Sequence, residues 1–189
     1  MNVFDFDNTI YEGESGIHMF FFFLRKHPGL VRHAPAVLRG FIKYKRGLVT
    51  QEQAMEGYAD VFHDFLRRVN LVEDLKAFWD EHERHLRRSF FTQYFRPDDL
   101  IISASPEQSL AEICGRIGAG RYIGTKVNLE IARFEFICFR ENKVKAFREQ
   151  YPGEEIDRFY TDSMNDKALM DISRQVFMVG KKGRMEQIK

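Results

Sequence analysis

Several things are scarce in this 189-residue chain, and each scarcity excludes a class of protein. Its two cysteines, Cys114 and Cys138, are too few for a disulfide framework and lack the spacing of a metal-ligand pair. Low-complexity segments and internal repeats are absent. The apolar run Met19 to Leu24 covers six residues, against the roughly 20 that a bilayer span requires, so no integral membrane segment is expected. The formal net charge is only +1, which gives no global reason to expect a nucleic-acid partner. The N-terminus has no basic region ahead of an apolar stretch, as a secretion signal would. These absences predict a cytoplasmic protein with reduced, buried cysteines. At this length the chain can bury a sizeable core and carry an insertion.

What is present begins at once. In Met1-Asn2-Val3-Phe4-Asp5-Phe6-Asp7-Asn8-Thr9, a β-prone apolar run delivers two carboxylates two positions apart, just before a polar turn. Residues i and i+2 of a strand share a face. Asp5 and Asp7 are therefore expected side by side at the carboxyl end of an opening strand. Two carboxylates that close repel each other and call for a cation, most naturally Mg²⁺.

Three further segments add to this, two of them apolar runs that end in chemistry. Leu100-Ile101-Ile102 leads into Ser103-Ala104-Ser105-Pro106-Glu107-Gln108. There Ser105 as N-cap, Pro106 at the first helical position and Gln108 two residues later predict a capped helix start. A hydroxyl at a strand tip beside free helix N–H groups suits a phosphate. Lys143 sits at a predicted helix start, where the macrodipole disfavours a cation, so its ammonium is expected to serve a partner outside that helix. Phe159-Tyr160-Thr161 ends at Asp162, with Asp166 four residues on.

Together these residues resemble the four motifs of the haloacid dehalogenase (HAD) superfamily of phosphohydrolases, in the subfamily (IB) that includes phosphoserine phosphatase. Asp5-x-Asp7-x-Thr9 matches the first motif, Ser103 the second, Lys143 the third and Thr161-Asp162-Ser163-x-x-Asp166 the fourth. The resemblance implies an α/β fold: a Rossmann-like three-layer core with a parallel sheet, plus an inserted all-α cap. It implies a Mg²⁺-dependent phosphatase acting on a small phosphorylated metabolite through an aspartyl-phosphate. Asp5 would be the nucleophile and Asp7 the general acid/base. Asn8, Ser103, Ala104 and Lys143 would hold the phosphate. Asp5, the Asp7 main-chain carbonyl and Asp162 would bind the metal, with Asp166 behind them. Glu14, Ser105 and Asn165 would set substrate specificity; Glu14 matches a glutamate that binds the substrate amino group in phosphoserine phosphatases. Ala104-Ser105 and Arg140 depart from those enzymes, which usually carry glycine there.

Between Ser15 and about Phe91 strand signals vanish. Helices are expected near 16–27, 30–46, 51–69 and 71–88, the third opened by a Thr50–Gln53 capping box. The division expected is a discontinuous core, 1–13 and 90–189, with a helical cap at 14–89. Residues 126–140 alternate with a phase change near Ala132, predicting an antiparallel hairpin. From Ser15 through Gln51 there is no acidic residue, whereas seven lysines and arginines occur. Such a stretch is either a solvated face paired with the acidic second half of the cap, or a weak contact to an anionic membrane surface. The second use would make the enzyme a membrane-surface phosphatase for a lipid phosphate such as phosphatidylglycerophosphate. A receiver-like phospho-switch is more remote, because such domains lack a helical insertion.

Overall fold

The computed structural model describes residues 1–46, 48 and 59–189. Seven strands form one sheet in the order β4-β3-β2-β1-β5-β6-β7: β1 Val3–Phe4, β2 Leu100–Pro106, β3 Tyr122–Asn128, β4 Arg133–Phe136, β5 Ile156–Thr161, β6 Ser173–Val179 and β7 Met185–Gln187. The five inner strands are parallel and the two edge strands antiparallel.

β1 is only two residues long and lies at the centre. Val3 pairs with Leu100 and Phe159, and Phe4 with Ile101 and Tyr160. Strand alternation sends these neighbours to opposite faces. Val3, Leu100, Ile102 and Phe159 join one buried cluster, with Phe147 of α7 (Glu141–Gln150) and Leu169 of α8 (Lys167–Ile172). Phe4, Ile101 and Tyr160 join the other, with Leu110 and Ile113 of α6 (Glu107–Ile117). A parallel sheet covered on both faces by helices is the layered α/β arrangement. The fold is α/β and Rossmann-like, a mostly parallel sheet between two layers of helices. Cys114 and Cys138 are free and buried, and burial pushes both thiols up to about 12.

Helices α1 (Ser15–Lys26), α2 (Ala34–Lys45), α3 (Ala59–Arg68), α4 (Leu71–His82) and α5 (Arg88–Tyr94) lie between β1 and β2. The expected second helix splits: Pro28–His33 is a 3-10 turn and α2 starts only at Ala34. Residues 51–58, with the Thr50–Gln53 capping box, lie outside the described residues. The fourth helix ends six residues short of expectation. After a 3-10 turn at Glu83–His85, Leu86 is extended and pairs with Tyr11. Main-chain bonds Glu12 N–H to His85 O and Arg87 N–H to Ile10 O, both 2.8 Å, outcompete further helix here.

Three of the seven lysines and arginines of the basic stretch meet acids. Lys26 and His27 both meet the buried Asp74 at 2.7 Å, Arg25 meets Glu81 at 2.5 Å, and Arg32 meets Asp64 at 2.8 Å. Phe22 and Phe23 are buried, while Phe21 is exposed. Among the described residues no helix is long and apolar enough to cross a membrane.

α4 shares the core of the sheet. Phe78 and Trp79 are fully buried in the cluster of Phe4 and Phe6, and Trp79 Nε1 donates to Ser109 O at 3.0 Å. Trp79→Phe removes that buried donor and part of the indole volume, so it is expected to lower unfolding free energy by about 1–3 kcal/mol. Urea denaturation checks this; an unchanged midpoint would mean that α4 is not fastened through Trp79.

Candidate active site

The first acid lies one residue beyond β1, which stops at Phe4. Asp5 and Asp7 are thus not alternate residues of one strand. Asp5 N–H continues the ladder to Tyr160 O at 2.8 Å, and then the chain turns. The Phe6 carbonyl accepts from the N–H groups of Thr9, Ile10 and Tyr11 at 3.3, 2.9 and 2.9 Å. Asn8 takes φ +57°, a left-handed conformation that asparagine tolerates better than most residues. The turn that follows Asp7 thus folds back onto one buried main-chain carbonyl. The Arg87 guanidinium closes the turn from outside, donating to the carbonyls of Asn8 and Thr9.

Asp5, Lys143 and Asp166 form a buried triad. Lys143 Nζ lies 2.7 Å from Asp5 Oδ1 and 2.8 Å from Asp166 Oδ1. Burial alone would lower the Lys143 pKa, but Asp5 and Asp166 outweigh it and hold the ammonium above its usual value. Desolvation pushes the Asp5 carboxyl well above the carboxylate range, against the opposing pull of Lys143, and Asp166 adds to the rise. The conflict between Lys143 and its helix dipole is therefore met by two carboxylates. Arg140 adopts a positive φ of +51° at the N-cap of that helix.

Thr161, at the end of β5, fixes Asp166: its hydroxyl donates to Oδ2 at 2.9 Å and accepts from Ser163 N–H at 3.2 Å. Asp162 is half-buried, and burial first, then the charge of Asp166, pushes its carboxyl up to about 6.

Asp7 is held by a second set. Ser15 N–H donates to Oδ1 at 2.7 Å and the Ser105 hydroxyl to Oδ2 at 3.3 Å; the two serine hydroxyls meet at 3.0 Å. Burial raises the Asp7 pKa, Ser15 opposes the rise and the charge of Glu14 adds to it. Ser105 is not the helix cap that the sequence predicts. It lies in β2, and Pro106 is the N-cap residue, with no side-chain cap. A carboxylate is a stronger acceptor partner for a hydroxyl than a neutral cap arrangement, and Ser105 faces one.

The fully buried Ser103 accepts from Ser105 N–H at 3.1 Å. Ala104 is exposed at the strand tip. Asn8 fits its expected role less well, because its N–H donates to Gly13 O at 3.1 Å and its side chain accepts from Gly13 N–H at 3.2 Å. Glu14 is the N-cap residue of α1, and its charge contributes to raising both Asp7 and Asp162. Asn165 is exposed in the turn after β5. Ser15 and Arg87 escaped sequence reasoning; only the position of Ser15 at a helix start hinted at its use, and Arg87 carried no signal.

Among the described residues no three His, Cys, Asp or Glu side chains gather as a ready metal cage. That is compatible with Mg²⁺, which keeps waters and takes one or two carboxylates together with substrate phosphate. Asp5 and Asp162 supply hard oxygen donors whose ionised forms are disfavoured by burial and by neighbouring acids, the electrostatic situation that a divalent cation relieves.

A family model of haloacid dehalogenase-like hydrolases matches residues 3–171. The chain belongs to this family. As a haloacid dehalogenase-like hydrolase it has structural relatives of low identity. A protein of unknown function from Bordetella pertussis Tohama I is 21% identical with a TM-score of 0.71, over 93% of this chain and 87% of that one. A phosphoserine phosphohydrolase-like protein from Francisella tularensis subsp. tularensis SCHU S4 is 15% identical (TM-score 0.55; 93% and 86%). Cytosolic 5'-nucleotidase IIIB bound to cytidine is 12% identical (TM-score 0.56; 95% and 72%). At these identities the likeness is one of fold. No curated protein matches the chain.

Thr161→Val keeps the shape but removes the donor to Asp166 and the acceptor for Ser163 N–H. It is expected to cost about 2 kcal/mol of stability and to lower turnover at least tenfold through a misplaced Lys143. Denaturation and steady-state kinetics check the two effects; wild-type turnover in a folded Thr161→Val protein would show that Asp166 needs no such anchor.

Proposed function

We propose that this hydrolase is a Mg²⁺-dependent phosphatase that cleaves phosphomonoesters through an aspartyl-phosphate. The observation that carries the reading is the Asp5–Lys143–Asp166 triad beside a second, separately held acid, Asp7.

Asp5 uses the oxygen not held by Lys143 to attack phosphorus, forming a P–O bond to its carboxylate as the bond to the leaving oxygen breaks. Asp7, with its pKa raised by burial, gives a proton to that leaving oxygen. In the second half-reaction Asp7 takes a proton from water, which attacks phosphorus and releases inorganic phosphate and the Asp5 carboxylate. Lys143 offsets charge on Asp5 and on the equatorial oxygens. The Ser103 hydroxyl and main-chain N–H groups at the strand tips orient those oxygens. Asp5, the Asp7 carbonyl and Asp162 would hold Mg²⁺, which when bound neutralises phosphate charge and lets an anionic nucleophile approach. Asp166 acts through Lys143.

In this reading residues 1–13 and 90–189 are the catalytic core, and 14–89 is a cap that shapes access to it. The substrate is a small phosphorylated compound. A phosphoserine-like choice rests on Glu14, and the lipid-phosphate choice on the basic, phenylalanine-rich start of the cap.

Hydrolysis of a generic aryl phosphate is expected to need Mg²⁺ and to stop in EDTA; full turnover in chelator would contradict the mechanism. Asp5→Asn should reduce kcat by 10⁴-fold or more, on the order seen when a catalytic nucleophile is lost. Asp7→Asn should still bind phosphate within a few-fold of wild type while losing turnover. Equal, mild losses in the two variants would place the nucleophile elsewhere. For Glu14→Ala, kcat/KM on an amine-bearing phosphate should fall further than on an aryl phosphate if Glu14 contacts an ammonium. Equal falls would remove Glu14 from specificity.

A further inference from the structure

A cavity of about 390 Å³ lies between the helical insertion and the sheet, within the size range of small-molecule sites. Its wall includes Phe20 and Phe23 of α1, Phe62 and Phe65 of α3, and Val127 and Phe134 of the β3–β4 hairpin. Aromatic contacts knit these elements together: Phe23 meets Phe65 edge-on at 4.8 Å, and Phe62 stacks on Phe134 at 5.3 Å.

Two wall residues tie the cavity to the site. Gly16 directly follows Ser15, and Pro106 directly follows Ser105. Ser15 and Ser105 are the two residues that bond the Asp7 carboxylate. Consecutive Cα atoms are about 3.8 Å apart, so the cavity wall begins one residue from the groups that hold the proposed proton donor.

The wall chemistry is equally restrictive. Among the described residues it contains no lysine, arginine, aspartate or glutamate. Of its polar side chains, His33 is engaged by Asp64 at 2.9 Å and Gln108 donates to Val127 O at 3.1 Å. The Ser109 hydroxyl is left: Ser109 is 1% exposed and its Oγ has no hydrogen-bond partner. An ammonium or carboxylate placed here would be desolvated without a counter-charge, which is strongly unfavourable. A hydrocarbon with at most one acceptor for Ser109 would be stabilised.

We infer that this cavity receives the leaving group of the substrate, and that the leaving group is a hydrocarbon chain or ring system, not an amino acid or a sugar. The inference rests on the phosphatase reading above and names its substrate class. Glu14 is not part of the wall, so a phosphoserine-like amine would find its carboxylate outside this space.

The test is kcat/KM for ethyl, butyl, hexyl and octyl phosphate, with phosphoserine alongside. Burial of about 0.8 kcal/mol per methylene corresponds to roughly fourfold per CH₂ at full burial; a rise of at least twofold per methylene, with phosphoserine below butyl phosphate, is the expected result. Gly16→Leu adds a side chain at a wall position where a Cβ meets nothing within 4 Å, and should reduce the octyl-to-ethyl ratio at least fivefold. A flat series on an active enzyme would overturn the inference and leave the phosphatase reading intact. If no ester is hydrolysed, that reading fails instead. Calorimetric titration with octylphosphonate and ethylphosphonate then interrogates the cavity alone: at least tenfold tighter binding of the octyl compound supports it, and equal binding overturns it. A diacylglycerol phosphate in detergent micelles, compared with octyl phosphate, separates the two sources of such a chain. Faster turnover of the former assigns a lipid and of the latter a soluble ester, both within the inference.

Discussion

One buried ammonium holds this site together. Lys143 comes from the first turn of α7, Asp5 from the end of β1 and Asp166 from the turn after β5, and Nζ lies within 3 Å of both carboxylates. An uncompensated charge at such depth is strongly unfavourable, so each partner depends on the other two being in place. The balance is nevertheless uneven. Asp5, Asp7 and Asp162 are all pushed toward their protonated forms, by burial first in each case.

The sheet makes this concentration of acids affordable. β1 is only two residues long, yet it is paired on both sides and buried on both faces. Its rigidity comes from neighbours, not from its own length. Where the strand stops, the Phe6 carbonyl gathers three N–H groups, so the polar turn that carries Asp7 is anchored on the apolar core. Stability and chemistry meet within five residues.

Much of this was legible in the sequence. Three apolar runs ending in Asp5, Ser103 and Asp162, with Lys143 at a helix start, pointed to a sheet with polar groups gathered at one edge, and the apolar alternation at 126–140 pointed to the β3–β4 hairpin. The failures share a cause. Ser105 reads as a helix cap, residues 83–88 as continued helix, and Asp5 and Asp7 as strand neighbours, because local propensity favours each. For Ser105, Leu86 and Asp5 a partner distant in sequence won: the Asp7 carboxylate, the Tyr11 segment and the Tyr160 carbonyl, while the chain after Asp5 turns back on the nearby Phe6 carbonyl. Ser15 and Arg87 were silent for the same reason, since nothing local marks their contacts. The charge pattern of the insertion was readable in outline, and the ion pairs to Asp74, Glu81 and Asp64 give it a structural use.

The central claim is that phosphorus becomes bonded to one particular carboxylate. Rapid acid quench of the enzyme during turnover, followed by mass spectrometry of the peptide spanning Met1 to Arg25, locates that bond directly. The account predicts a phosphoryl group on Asp5 that appears within one turnover and vanishes when substrate is exhausted. A quenched enzyme that turns over substrate but carries its phosphoryl group on Asp7, on Asp162, or on no carboxylate at all would contradict it.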